Sequence, residues 1–447
     1  MDGPYAVAAL DSTLLGGLHT NGRLREILGE RALIEQFLVV EQTLAEAQAD
    51  VGMIPSEAAE QIAAISIDDL DLAALASRST EVGYPIVGVV EQLAALVPDR
   101  LGEFAHWGAT TQDIMDTALV LQVSAAVDVV ESDLRRLVAA LAKLATEHCD
   151  TIVVGRSQMQ QAMPTTMGYR AASWLDPFLR HVERLAELQA RVEVVQLGGA
   201  TGTLASLAPY GLEIREYLAK RLGLANPPIS WHAGRDRIVE VVTWAAQVSA
   251  SLAKIGLDIA LGSQTEFGEL TEGSGGISST MPQKRNPIQS QQLIRAAKLT
   301  RTHVDLVLDA AIADHDRATA GWSLEWNSVA PSLAIAGGAV EVAVDLIDKL
   351  QVNPDAMAHN LEKTNGLIMA EAVMMKLAPD LGRQAAHDVV AEMVNQSTQT
   401  QRSFVEVTKE RFPDADLPLD PAAYTGHAIE QINAVVTRAH QLLREPV

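Results

Sequence analysis

Apolar residues recur at alternating steps of three and four along five separate stretches of this chain, and no other feature limits its fold so strongly. Val127, Val130, Leu134, Leu137, Leu141 and Leu144 form the first series, and Leu185, Leu188, Val192 and Val195 the second. Val241, Ala245, Val248, Leu252, Ile255 and Ile259 form the third. Leu293, Ala297, Thr300, Val304 and Val307 make the fourth, and Ala336, Val340, Ala343, Ile347 and Leu350 the fifth. This is the period of a helix with one apolar stripe, and it predicts long helices packed at shallow angles. At roughly 25–30 residues each, such helices would be about 40 Å long. Pro177 falls inside the second and predicts a kink there. Strand signals are scarce, and no repeat of solenoid period is present. The expected fold is all-α, with three helical domains: residues 1–107, a central bundle of five long helices over 108–352, and residues 353–447.

The flanking regions read as shorter helices. The stretch from Leu24 to Ala47 looks like one amphipathic helix, Pro55-Ser56-Glu57 starts another, and Val82-Gly83-Tyr84-Pro85 breaks the pattern. Beyond Asn353-Pro354 short helices return, and Leu417-Pro418-Leu419-Asp420-Pro421 makes a rigid connection before the last one.

The chain can bury a large core, being 48% apolar over 447 residues. Its formal charge is 34 − 57 = −23, which argues against nucleic acid as a partner, since phosphate binding needs a basic face. An anionic substrate would have to be drawn in by a local arginine and lysine cluster against that field. The lone Cys149 excludes an intramolecular disulfide and fits a reducing compartment. Met1-Asp2-Gly3-Pro4 has neither the basic nor the apolar region of a signal peptide. No uncharged apolar run reaches the ~20 residues of a membrane span. The expectation is a cytoplasmic protein without nucleic-acid or membrane partners.

Within loop 270–287 the helical pattern is interrupted by Gly273, Ser274, Gly275 and Gly276, followed by Ile277-Ser278-Ser279-Thr280-Met281-Pro282-Gln283-Lys284-Arg285-Asn286-Pro287. So little bulk predicts a mobile loop. Two adjacent hydroxyls, a lysine, an arginine and an asparagine make it a donor-rich surface suited to an anion, over which it could close as a lid. A solvated connection between helices is the plain alternative. In residues 106–117, His106, Thr110, Thr111 and Asp113 precede or open a helix, where free N–H groups bind anions; Thr111 or Asp113 could equally be an N-cap. Three further clusters are Trp231-His232-Ala233-Gly234-Arg235-Asp236-Arg237, His315-Asp316-Arg317 with Trp322 and Glu325-Trp326 following, and Lys363-Thr364-Asn365-Gly366-Leu367. Taken singly, each reads as a surface salt-bridge patch. The 11 histidines show no ligand spacing with carboxylates, and no Cys cluster, P-loop or dinucleotide fingerprint is present, so no metal or cofactor is expected.

The order of residues 276–286 resembles the signature loop of the fumarase/aspartase superfamily, Gly-Ser-Ser-x-Met-Pro-x-Lys-x-Asn. Ser278, Ser279, Met281, Pro282, Lys284 and Asn286 match it, and Ile277 stands where the family usually has glycine. Residues 106–113 resemble its His-x-Gly-x-Thr-Ser-x-Asp, with Thr111 keeping the hydroxyl of the usual serine. Residues 155–166 resemble Gly-Arg-Thr-His-x-Gln-x-Ala-x-Pro-x-Thr. Gln158 replaces a histidine that many members use in acid catalysis, and glutamine supplies no proton at neutral pH. The adenylosuccinate lyase branch has a histidine where this chain has Val82-Gly83-Tyr84. The clusters around Arg235, Arg317 and Lys363, with residues 419–426, resemble instead the bacterial 3-carboxy-cis,cis-muconate cycloisomerase branch.

The resemblance implies that Ser278 is the base acting α to a carboxylate. It implies that Thr110, Thr111, Gln158, Ser279, Lys284, Asn286 and Arg317 bind the substrate, while His106 and His232 orient groups or transfer protons. The implied reaction is cofactor-free lactonisation of a small polycarboxylate, the reverse of β-elimination. Two alternatives remain: a C–N lyase releasing fumarate from adenylosuccinate or another substituted aspartate, and a non-catalytic helical assembly, motivated by Ile277 and Gln158. The superfamily builds each site from segments of three subunits of a homotetramer. The five seams offer more apolar surface than five helices can bury among themselves, which points the same way.

Overall fold

Apart from their last members Val195 and Leu350, the five apolar series lie on long helices: Thr111–Glu147, Met167–Val192, Asp236–Gly262, Ile288–Ala310 and Val329–Asp348. The computed structural model describes residues 7–274 and 276–445; Met1 to Pro4 and Gly275 lie outside the described residues. The longest helix has 37 residues, about 55 Å at 1.5 Å per residue. The first three series are buried throughout. In the fourth, Ala296 is buried in place of its half-buried neighbour Ala297, and Val304 is half-buried. In the fifth, Leu350 lies beyond the helix end and is half-buried. Pro177 sits within its helix, which continues through it.

Two compact units are assembled from interleaved stretches. One comprises the chain up to residue 133 with 181–250 and 295–341; the other comprises 134–180, 251–294 and 342 onward. In the first, Ala45, Ile54, Ala59, Ile62 and Val97 close a small N-terminal core. In the second, Phe404 is wholly buried among Val373, Leu377, Val390, Met393 and Val407. Two helical stretches, Asp236–Gly262 and Gly321–Asp348 (the latter a short helix running on into Val329–Asp348), are apolar and long enough to cross a membrane by composition alone. However, 72% of the second one's apolar window is buried inside the protein, so its apolar face is already occupied by the core.

The helix expected over 24–47 is two helices, Gly22–Leu28 and Glu30–Asp50. The break falls at Gly29, where a side chain would meet the carbonyl oxygen of Arg25 at 2.7 Å. The break expected at 82–85 is present: Gly83 is left-handed at φ 85° and Pro85 opens the next helix. Three small antiparallel ladders interrupt the helices. The largest pairs Ile152–Ser157 with Gln160–Thr166. Its two-residue turn, Gln158-Met159, has φ of 51° and 63°. Two consecutive positive φ values mark a type I′ hairpin turn, usually signalled by Asn-Gly, and here the sequence gives no such cue. Val154 of this hairpin packs on Ile368, Met369 and Ala372.

The hairpin leads directly into the second long helix, whose first turn packs against the end of the first. The N–H of Gly168 donates to the carbonyl of His148 at 2.7 Å. A side chain at Gly168 would meet the carbonyl of Ala145 at 2.5 Å and Cα of Cys149 at 2.6 Å. Gly168→Val is expected to destabilise the protein by about 1–3 kcal/mol, read as a lower denaturant midpoint; an unchanged midpoint would show that the two helix ends are free to separate.

Candidate active site

The first long helix begins at Thr111, so Thr110 and Thr111 stand at an N-terminus carrying unpaired N–H groups and partial positive charge. Arg317 reaches this end from a loop. It donates from Nη1 to Thr110 Oγ1, from Nη2 to Thr111 Oγ1 at 3.4 Å, and from Nε to Gln112 Oε1 at 3.3 Å. It is half-buried and has no carboxylate partner among the described residues. A guanidinium held by neutral groups at a helix N-terminus is arranged to take an anion from outside the chain.

Asp113 fixes the shape of this corner. It is wholly buried and accepts from the N–H groups of Thr110 at 3.0 Å, Gly198 at 2.8 Å and Gly199 at 2.9 Å. Its fourth donor is His232 Nε2 at 2.7 Å, which carries the hydrogen because a carboxylate only accepts. His232 is 3% exposed, and its carbonyl accepts from Gln112 Nε2 at 3.0 Å. Asp113 thus acts as an N3 residue reaching back to the residue before the helix, and also bridges to a glycine turn nearly 90 residues away.

One turn further along lies a second buried network. Arg235 donates to Asp116 Oδ2 at 2.7 Å and Oδ1 at 3.0 Å, and to Glu325 Oε1 at 2.8 Å. Burial opposes the charge on Arg235, but Asp116 and Glu325 outweigh it and raise its pKa. The Glu325 carboxyl is raised by burial, against the pull of Arg235 and with a push from Asp116. Trp322 Nε1 donates to Asp116 Oδ1 at 3.0 Å, placing the indole over the start of the first helix.

His106 has the left-handed φ of 58°, uncommon for a residue with a side chain. Its Nδ1 lies 2.6 Å from Glu41 Oε1, and its N–H donates to Glu41 Oε2 at 3.1 Å. Glu41 is buried on the Glu30–Asp50 helix and carried no sequence signal of a role. Burial pulls the His106 pKa down, yet Glu41 beside the ring, with a smaller pull from Asp113, leaves it above the usual histidine value.

Thr110, Thr111, His106, His232 and Arg317 all belong to the first unit; Gln158 and the signature loop belong to the second. In that loop, Gly276–Ile277 pairs with Arg285–Asn286 in a short ladder. Ile277 is therefore an extended strand residue, where a β-branched side chain fits. Ser278 follows at once, half-buried, and its Oγ accepts from the N–H of Met281 at 3.0 Å and of Thr280 at 3.3 Å. Ser279 and Lys284 are exposed and Asn286 is half-buried. Gln158 is exposed at its hairpin tip. The hairpin is held through Arg156, which donates to the buried Glu269 at 2.8 Å and lies 4.4 Å over the Phe267 ring. Glu269 opens the segment that leads into the loop. Among the described residues, no group of three or more His, Cys, Asp or Glu side chains is gathered as a metal would require.

The family described as Lyase matches residues 17–299, and the one described as Adenylosuccinate lyase C-terminus matches 366–435. Trans-aconitate decarboxylase 1 of Mycosarcoma maydis is 39% identical over 428 residues, covering 93% of this chain and 87% of its own. The 3-carboxy-cis,cis-muconate cycloisomerase of Acinetobacter baylyi is 36% identical over 446 residues, covering 96% and 99%. The solved structure of the 3-carboxy-cis,cis-muconate lactonizing enzyme from Pseudomonas putida matches with a TM-score of 0.91 at 35% identity, over 96% of this chain and 99% of that one.

The His106–Glu41 pair generates a pH-dependent prediction. A histidine raised above its unfolded value of 6.5 adds stability that is complete below that value and lost as pH rises through the folded one. Glu41→Gln should therefore lower the melting temperature more at about pH 6 than at about pH 9. A gap independent of pH would show that the pair is not ionic.

Proposed function

This chain belongs to the fumarase/aspartase superfamily of lyases and cycloisomerases, and from that membership we propose that it lactonises 3-carboxy-cis,cis-muconate or a close analogue. A carboxylate oxygen of the substrate adds to a carbon of the conjugated double bond. The displaced electron pair moves toward the neighbouring carboxylate, and the α-carbon takes a proton from the Ser278 hydroxyl. In the reverse direction the Ser278 oxygen removes that proton.

The observation that carries this reading is the pair of backbone N–H groups already donating to Ser278 Oγ. A free serine hydroxyl is far too weak a base; donors to its oxygen favour the negatively charged form. Arg317, Thr110 and Thr111 would bind one carboxylate, and Ser279, Lys284, Asn286 and Gln158 the others. His232, tied to Asp113, would orient this corner, and His106 is the candidate for proton transfer. A second reading, release of fumarate from a substituted succinate, is favoured by the match of residues 366–435 to the adenylosuccinate lyase C-terminus. Fumarate appearing in the short ultraviolet with succinyl substrates, and not with the muconate, would select it.

The purified protein should change the ultraviolet absorbance of 3-carboxy-cis,cis-muconate, and Ser278→Ala should lower kcat by about 10²–10⁴-fold. An unchanged spectrum with the wild-type protein removes the substrate assignment.

The quaternary proposal is a homotetramer in which different subunits supply the signature segments of each site. Tyr169, Leu257, Ile288 and Leu308 stay uncovered on the long helices, apolar surface that other copies would bury. Mixed and reassembled Ser278→Ala and Thr111→Ala subunits should recover part of the wild-type activity. Light scattering should give a mass near four times 47.9 kDa. A monomeric mass with full activity would end the shared-site proposal.

A further inference from the structure

With Thr111 and Arg317 read as a carboxylate clamp, three aromatic residues of the same cavity remain without a role. The cavity is about 270 Å³, and Tyr84, Trp322 and Trp326 line it together with the clamp. That is below the ~300–1,000 Å³ of pockets for drug-sized ligands, and suits a small acid. Only 4% of the chain is aromatic, so three rings on one cavity are a concentration. Tyr84 and Trp322 stack with centroids 5.8 Å apart and planes at 24°. Trp326 meets Trp322 edge-on, at 5.4 Å and 77°. Tyr84 and Trp326 are each about two-fifths exposed, so these rings are not spent on the core. Trp322 is held by its bond to Asp116, itself fixed by Arg235. Asp116 and Thr111 share one helix, so a single rigid element sets the position of both clamp and wall.

We propose that this aromatic wall selects the carbon skeleton of the substrate: a planar, conjugated polycarboxylate lies with its unsaturated segment along the rings while one carboxylate meets Arg317 and Thr111, and saturated acids of the same length are discriminated against. The proposal rests on the clamp reading. A flat chain of sp² carbons makes contact along its whole face. The negative ring faces turn carboxylates away from the wall and toward the guanidinium. A saturated chain is thicker, and it loses more rotational freedom on binding. Rigidity alone would favour an unsaturated acid in any pocket, so the decisive quantity is how far the preference falls when a ring is removed.

The probes are cis,cis-muconate and its saturated counterpart adipate, titrated calorimetrically into the wild-type protein, Tyr84→Ala, Trp326→Ala and Tyr84→Phe. Muconate should bind the wild type more tightly than adipate. Each alanine variant should reduce that ratio by roughly three- to tenfold, mainly through muconate, as loss of an aromatic contact implies. Tyr84→Phe, which keeps the ring, should retain the ratio. Both alanine positions are partly exposed, and unaltered melting curves will show that the variants fold. A ratio unchanged in both alanine variants, an equal loss for both acids, or no binding of either acid to the wild type overturns the proposal. The turnover assay with 3-carboxy-cis,cis-muconate is read separately, so failure of the lactonisation reading shows there whatever the ratio does.

Discussion

A guanidinium removed from water needs charge around it, and Arg235 finds two carboxylates, Asp116 and Glu325, contributed by segments 119 and 90 residues distant. Taking such groups out of water costs several kcal/mol per ion, and only dense hydrogen bonding offsets it. Every oxygen of both carboxylates is used here, two of them by Nη2, and one accepts the Trp322 indole N–H as well. Removing any member would leave a buried charge unsatisfied. The network therefore fixes the start of the first long helix against the entry to the third and against the short helix Gly321–Glu325. The position of Thr111, Trp322 and the approach of Arg317 all follow from that junction.

The charge of the whole chain opposes an anionic ligand, while the local charge favours one. At −23 the protein repels polycarboxylates from a distance. Exposed charges beyond roughly 8 Å are largely screened at physiological salt, so the local field decides binding. Arg317 spends its N–H groups on two threonines and a glutamine, and none on a carboxylate among the described residues. By contrast Arg156 and Arg235 are paired with buried carboxylates and serve the fold. Three arginines found in sequence clusters thus separate by partner: hydroxyls and an amide surround the one proposed to meet a ligand.

The helical fold was legible because a helix seam is a local pattern: Val127 to Leu144, or Val241 to Ile259, announces a buried stripe without reference to the rest of the chain. The signature loop was legible from residue order. What could not be read depends on distant contacts. The break at Gly29 is instead a matter of local backbone geometry, a side chain there meeting the carbonyl of Arg25 at 2.7 Å, which no periodicity reveals. Glu41 looks like any acidic helix residue until it is found against His106, 65 positions later. Asp113 reads as a cap, and only the fold supplies the Gly198, Gly199 and His232 donors that make it a hub. Tyr84 falls in a break of the helical pattern in the sequence, and its ring acquires meaning only beside Trp322. The Gln158-Met159 turn lacks the glycine that would have signalled it.

Ile277 shows how a departure from a motif can be absorbed. The neighbouring Gly276 is tightly packed, since a side chain there would meet Cγ2 of Ile288 at 2.6 Å. Ile277 is paired with Arg285 in the ladder that closes the loop, a conformation in which a β-branched residue is at home. Closing the ladder at 277 moves the freedom of the loop outward, to residues 278–284. Ser278 then stands at the boundary, its backbone following a paired strand and its oxygen held by two N–H groups of the turn beyond. A base must be placed within a fraction of an ångström to work, yet the groups that cover the substrate must be able to part. In the proposed mechanism, the serine beside the ladder and Ser279 and Lys284 on the far side of it would separate those two demands along the chain.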